Sequence, residues 1–342
     1  MKFLKGLLSL VLLVVILGGA AVGGGWLWMQ NELAKAGPLE EDVTFTVEPG
    51  ESLASVASRL EKDSIIRDAK LMRLKAKLDG TELAIKTGEF EIPHQASLSD
   101  VLGTLVEGKA VLHKITLPEG RTTAQLLKIV EADPVLVGDM PTEDIPEGSL
   151  LPDTYLFNRG MTRAQLVAKM QDAQAKLLDG LWPKRKADIP VATPYEAIIL
   201  ASIVEKETGK VDEQPEIAAL FTTRLRKGMR LESDPTIIYG ISQGEPLYNA
   251  KGQRRTLRRS EIDRKTDWNT YQIDGLPKTP ICNPGRGAIE AVLNPPDTEY
   301  LFFVADGKGG HLFAKTLQEH NRNVAAYRAY ESKEIAKERA GE

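Results

Sequence analysis

From Gly6 to Met29 the chain runs 24 residues without a charged side chain. At ~1.5 Å per residue that length crosses a hydrocarbon core ~30 Å thick. Lys2 and Lys5 precede the run, and Trp26 and Trp28 sit at its far end. Basic residues favour the cytoplasmic side, and tryptophan marks a membrane interface. The pattern therefore predicts residues 1–5 in the cytoplasm, a single-pass anchor over 6–29 and a body outside the cytoplasm. Leu7 to Leu17 alone would serve as the core of a signal peptide, with cleavage near Ala21. The run continues through Gly23-Gly24-Gly25 to the two tryptophans, which favours an uncleaved anchor. The polar stretch that follows suits a stalk over 30–43.

Beyond the stalk the periodicity alternates between 2 and 3.6. Phe45-Thr46-Val47 alternates like a strand, Glu48-Pro49-Gly50-Glu51 reads as a turn, and Ser52 caps a helix with Leu53, Val56, Ala57 and Leu60 inward. Seventy residues later the grammar returns: Ile115-Thr116-Leu117, then Pro118-Glu119-Gly120, then a stripe of Leu126, Leu127 and Val130. Two copies are too few for a solenoid and read as two β-turn-α units. Between them lie a strand at 88–93 and a short helix over 97–106. Thr162-Arg163-Ala164-Gln165 and Thr193-Pro194-Tyr195-Glu196 read as capping boxes opening two longer helices, the second closed by Gly209. A hairpin follows at 300–304 and 311–313, and Thr316 to Glu319 opens a last helix that fades into a charged tail. The expected class is α+β: an N-terminal transmembrane helix, a small β/α module over 44–113, a larger mixed domain over 114–335 and a tail over 336–342.

Composition narrows the function classes. The 342 residues are 42% hydrophobic and 27% charged, which excludes a disordered, collagen-like or multi-span protein. The net charge is −4, and the part beyond the basic N-terminus is more acidic still, so nucleic acid is not an expected partner. One cysteine, Cys282, excludes an intrachain disulfide. Four histidines, none in metal-ligand spacing, leave little material for a zinc site, and no metal or cofactor is expected.

The helix after Thr193 carries the candidate chemistry. Ile198, Ala201, Ser202 and Glu205 share one face at i, i+3, i+4 and i+7. A carboxylate on an apolar stripe is paired, protonated or functional. Desolvation raises its pKa and fits it for general acid work near neutral pH. Spacing alone favours the plainer reading, an edge glutamate paired with a base. Asp234 before Pro235 reads as a turn residue. Asn269 and Tyr271 offer an amide and a phenol for sugar hydroxyls, or for loop packing. Asn283-Pro284-Gly285 reads first as a turn, and His311 beside the glycine-rich hairpin as structural. The basic run Lys251, Arg254, Arg255, Arg258 and Arg259 is either a solvated loop or a surface for carboxylates on an acidic polymer.

The octapeptide Ala201-Ser202-Ile203-Val204-Glu205-Lys206-Glu207-Thr208 leads an ordered motif series. It continues through Ser233-Asp234-Pro235-Thr236-Ile237-Ile238-Tyr239-Gly240, Asn269-Thr270-Tyr271, Pro280-Ile281-Cys282-Asn283-Pro284-Gly285 and Phe303 to His311. With Glu147 to Tyr155 upstream, the series closely resembles the endolytic murein transglycosylase MltG (YceG-like) family over nearly the whole chain. The resemblance implies a single-span inner-membrane protein with a periplasmic LysM-like module over 44–113 and a catalytic domain. It implies a peptidoglycan glycan substrate, cut within the strand between N-acetylmuramic acid and N-acetylglucosamine to leave a 1,6-anhydro end. The family's catalytic glutamate falls on Glu205. Asp153, Ser202, Asp234, Tyr239, Asn269 and Tyr271 fall on motifs expected to bind substrate. Peptidoglycan synthases are the implied partners, with action on nascent strands and termination of glycan elongation. Trp268 and Lys278-Thr279 depart from the family pattern along the cleft wall, and the basic 251–259 stretch resembles a variable loop. Two rival classes remain open: a non-catalytic glycan-binding scaffold that recruits synthases, and a true hydrolase that leaves reducing ends.

Overall fold

The structure, a computed structural model, describes residues 2–340. Met1 and the last two residues of the expected tail over 336–342 lie outside the described residues. The class is mixed α+β, and the chain divides into two compact units. One holds residues 1–114 and 156–161, the other 115–155 and 162–342.

The first unit begins with α1 (Lys2–Ala34). A window of this helix, Leu12–Ala34, is long and apolar enough to cross a membrane, by a test that a signal sequence also meets. The helix runs five residues past 29, so the stretch read as stalk begins as helix. Met29 and Leu33 are buried in this unit's core. The next residues are fastened too: Gly37 N donates to Gln95 O and Gln95 N to Leu39 O. The chain continues through β1 (Val43–Val47), α2 (Leu53–Lys62), α3 (Ala69–Asp79), β2 (Gly88–Ile92) and α4 (Leu98–Val106). β1 and β2 pair antiparallel with Phe45 opposite Phe90. Val56 and Leu60 of α2, Met72 and Ala76 of α3, and Val101 and Leu105 of α4 close the core without solvent access. Each of these fully buried side chains contributes about 1.5–3 kcal/mol if large and aliphatic. Ser52, Asp68 and Ser97 cap the three helices with side-chain oxygens.

β3 (His113–Thr116) pairs with β4 (Thr154–Phe157), and the division between the units falls inside both strands. α5 (Thr123–Ala132) lies between them in sequence. The repeated grammar is real at the backbone. Gly50 and Gly120 take φ of +78° and +71°, where a side chain is disfavoured, and each precedes a capping hydroxyl, Ser52 or Thr122, by two residues.

The second unit is mainly helical: α6 (Arg163–Leu181), α7 (Pro194–Glu207), α8 (Gln214–Arg226), α9 (Asp234–Ser242), α10 (Arg259–Ile262), α11 (Arg286–Leu293) and α12 (Leu317–Ala340). The hairpin of β5 (Phe302–Ala305) and β6 (His311–Ala314) pairs Phe303 with Phe313. α7 is its centre. Ala197 to Val204 are all buried, against residues of α8 and α11 among others. This corrects the expectation of a one-sided stripe: the helix is apolar all round because neighbours cover every face. Polarity returns only in its last turn, at Glu205, Lys206 and Glu207.

Candidate active site

Glu205 ends the buried run of α7 and is half-buried. Its Oε2 accepts the backbone N–H of Gly285 at 3.1 Å, just ahead of α11, and the Gln214 side-chain amide reaches it at 3.5 Å. The turn after β3 closes the other side. A Cβ built on Gly120 would stand 3.6 Å from Glu205 Cγ and 3.8 Å from Oε1. On Gly285 it would stand 1.8 Å from Glu119 Oε1, so glycine there admits a second carboxylate. Burial raises Glu205 to about 6; Gly285 N–H opposes that, the Glu119 charge adds to it, and Lys206 opposes it.

The turn is held in place by backbone pairing. Gly120 N donates to Asn283 O, and Asn283 N to Arg121 O. The Asn283 side chain is fully buried: its Oδ1 accepts Leu150 N at 2.9 Å, and its amide reaches Arg121 O, Thr123 Oγ1 and Glu147 Oε1. Glu147 also accepts Thr123 N at 2.7 Å and the Tyr239 hydroxyl at 3.2 Å. Burial pushes its carboxyl up despite these donors. Tyr239 is nearly buried and packs edge-on against Trp268.

The other expected site residues separate. Ser202 has no solvent access; its Oγ donates to Ile199 O and accepts Ile281 N. Asn269 is equally buried, its amide donating to the carbonyls of Ile262 and Arg264 and its oxygen taking Tyr271 N. Direct contact with sugar is therefore corrected for both: they hold the framework. Asp153 takes Thr154 N at the start of β4, and among the described residues no hydrogen bond joins it to Glu205. Tyr271 donates to Asp234 Oδ1 at 2.8 Å. That pair borders a cavity of about 590 Å³ together with Glu207, whose carboxyl burial raises to about 7. His311 pairs with Glu213 at 2.7 Å.

A second cavity, about 530 Å³, lies beside the Glu205 turn, within the size range of small-ligand sites. Glu205 is not on its wall, but its neighbours Arg121 and Lys206 are, with Asp234, Tyr239, Arg254 and Arg255. Sequence reasoning missed Glu119, Glu147, Asn283 and Gly285. Each stood in a quoted turn or motif, but no local spacing tells that Glu119 and Gly285 meet Glu205 or that Asn283 and Glu147 brace the turn beside it.

What the fold and this geometry define is a helix-borne carboxyl group that holds its proton more tightly than an ordinary glutamate, beside a second carboxylate and without a metal cluster among the described residues. A family model described as the YceG-like family matches residues 45–326, and the chain belongs to that family. It is 27% identical over 341 residues to the endolytic murein transglycosylase of Bacillus subtilis strain 168, covering 90% of this chain and 91% of the relative. It is 27% identical to the endolytic murein transglycosylase of Streptococcus pneumoniae strain D39, covering 89% of this chain and 62% of that longer protein. A crystal structure of a yceG-like protein from Listeria monocytogenes superposes with a TM-score of 0.49 at 26% identity, covering 83% of this chain and 99% of the other.

Proposed function

We propose that this chain is an endolytic lytic transglycosylase that cuts peptidoglycan glycan strands between N-acetylmuramic acid and N-acetylglucosamine. The observation that carries the reading is Glu205 itself: a carboxyl raised to about 6, hydrogen-bonded by Gly285 N–H and faced by Glu119. Protonated Glu205 donates to the bridging oxygen as its bond to the muramyl anomeric carbon breaks. Positive charge grows on that carbon, and Glu119 supplies an opposing charge. The carboxylate left on Glu205 accepts the proton of the sugar's own C6 hydroxyl as the C6 oxygen bonds to the anomeric carbon, closing the 1,6-anhydro ring. Glu205 ends the cycle as it began. Tethering the nucleophile to the electrophile meets its entropy cost in advance. Asp234, Tyr271 and Tyr239 orient sugar hydroxyls and N-acetyl groups at the cavity walls, and Asp153 borders the same strand-to-turn region.

α1 anchors the chain in the inner membrane through 6–29, with its N-terminus cytoplasmic and both units periplasmic. The β1–α2 arrangement is LysM-like and binds glycan. Tethered there, the enzyme meets nascent strands, terminates their elongation and works alongside peptidoglycan synthases.

The nearness of Glu119 favours one competing reading, hydrolysis with two carboxylates. The test digests purified peptidoglycan with the full chain in detergent micelles and reads product ends by mass spectrometry. Internal cuts with anhydro ends are expected. Reducing ends would assign a hydrolase, and binding without cleavage a scaffold.

A further inference from the structure

The 530 Å³ cavity beside the catalytic turn is more basic than the cut requires. Four cations line it, and two of them are already occupied. Arg255 forms a two-pronged pair with Glu261 at 2.7 and 2.8 Å, and Lys206 donates to Gly120 O at 3.2 Å. The one acid on the wall, Asp234, takes the Tyr271 hydroxyl. Arg121 and Arg254 are both exposed and have no acidic partner among the described residues. Arg121 follows Gly120 and Lys206 follows Glu205, and a side chain on Gly120 would stand 3.6 Å from Glu205 Cγ. The cationic wall thus starts at the residue after the acid and at the residue after the glycine beside it.

A glycan backbone of N-acetylated sugars is neutral. Its negative charge sits on the lactyl ether of muramic acid, either as the free lactyl carboxylate or on the peptide joined to it. A guanidinium fork matches a carboxylate in plane and charge. We propose that this cavity binds a carboxylate carried by the muramic acid residue next to the scissile bond, with Arg121 and Arg254 as its partners. This rests on the glycan-cutting reading and deepens it: the enzyme selects strands by their acidic substituent, and the basic loop at 251–259 supplies half of the recognition.

The test measures binding as well as cleavage, so the two readings fail separately. Soluble glycan strands are prepared with peptides intact, with peptides removed to leave the lactyl carboxylate, and with all carboxylates amidated. Binding to the full chain in detergent micelles is followed by anisotropy at low and high salt. The native chain is expected to bind the better anionic strand roughly tenfold more tightly than the amidated one, with the gap narrowing in salt. Whichever anionic strand holds that advantage identifies the source of the carboxylate. In the double variant R121Q/R254Q the ratio falls towards one, and in R121K/R254K most of it returns. Equal affinity of the native chain for anionic and amidated strands overturns the proposal, as does an unchanged ratio in R121Q/R254Q with an unaltered thermal midpoint. Charge-dependent binding without anhydro ends would keep the site and discard the cutting reaction.

Discussion

Replacing Glu205 with glutamine separates the cost of the acid from its use. Burial and Glu119 raise the carboxyl from 4.5 to about 6, so the folded chain holds this proton more tightly than the unfolded chain does. A folded pKa above the unfolded one makes stability fall as pH rises through the interval between them, here about 4.5 to 6, and level off above it. That difference corresponds to about 2 kcal/mol on the ionised form, an upper bound because water reaches part of the carboxylate. Glutamine keeps the shape, accepts Gly285 N–H through its oxygen, and turns an amide N–H₂ toward Glu119 in place of a like charge. E205Q is therefore expected to be more stable than the native chain near pH 7.5 by up to about 2 kcal/mol, or roughly 4–8 °C in the melting of a unit this size. Near pH 4, where native Glu205 is protonated, the gain should vanish. Cleavage should drop by about 10²–10⁴ because an amide has no comparable acidity. The assay is thermal melting of the full chain in micelles at both pH values, alongside anhydro-end counting. A variant that is less stable at pH 7.5, or equally stabilised at both, would refute the electrostatic account. Wild-type rates would refute the catalytic one.

Other expectations are more local. The cleavage rate should decline above about pH 6 as Glu205 loses its proton, and E119Q should move that decline to lower pH, since the Glu119 charge helps hold the proton; a pH profile of kcat/KM checks both. N283A should lower stability by about 2–4 kcal/mol, because it strips four hydrogen bonds from a fully buried site and leaves Glu147 with fewer donors, as denaturant melts would report. G285A should cost little in melting temperature but reduce cleavage, because the new methyl displaces the Glu119 carboxylate rather than backbone.

Much of the fold was legible because local chemistry announced it. The capping boxes at Ser97, Thr122 and Thr162 have both hydrogen bonds in place, the last as expected; at Thr193 the hydroxyl accepts Glu196 N, but the Glu196 carboxylate takes Ala192 N instead of closing the box. The hairpin at β5–β6 followed from its glycines. α3 escaped notice because its apolar residues point both ways: Met72 and Ala76 are buried while Leu74 and Leu78 are exposed, which blurs the 3.6 period. Within the site, Glu205 stood out as a charge at the end of an apolar run. Ser202 and Asn269 misled because a polar side chain that ties loops together has the same composition as one that meets a ligand. Their buried bonds to Ile281 and to the 262–264 carbonyls are long-range facts that no spacing encodes.

A group that gives a proton and takes another within one turnover works best when neither of its forms is strongly favoured. Glu205 has four influences on it, two in each direction. Burial at the end of α7 and the charge of Glu119 favour the acid; the N–H of Gly285 and the charge of Lys206 favour the base. Without the first pair the carboxyl would lie below its ordinary value, lowered by Gly285 N–H and Lys206, and be a poor donor at neutral pH. Without the second it would stay protonated and be a poor acceptor for the C6 hydroxyl. Gly285 serves both sides: its N–H steadies the carboxylate, and its missing side chain leaves room for Glu119. The glutamate ends the buried helix α7, but its poise is set by two turns from distant parts of the chain. Asn283 ties those turns together: Gly120 N donates to its carbonyl, and its own N–H and side-chain amide donate to Arg121 O.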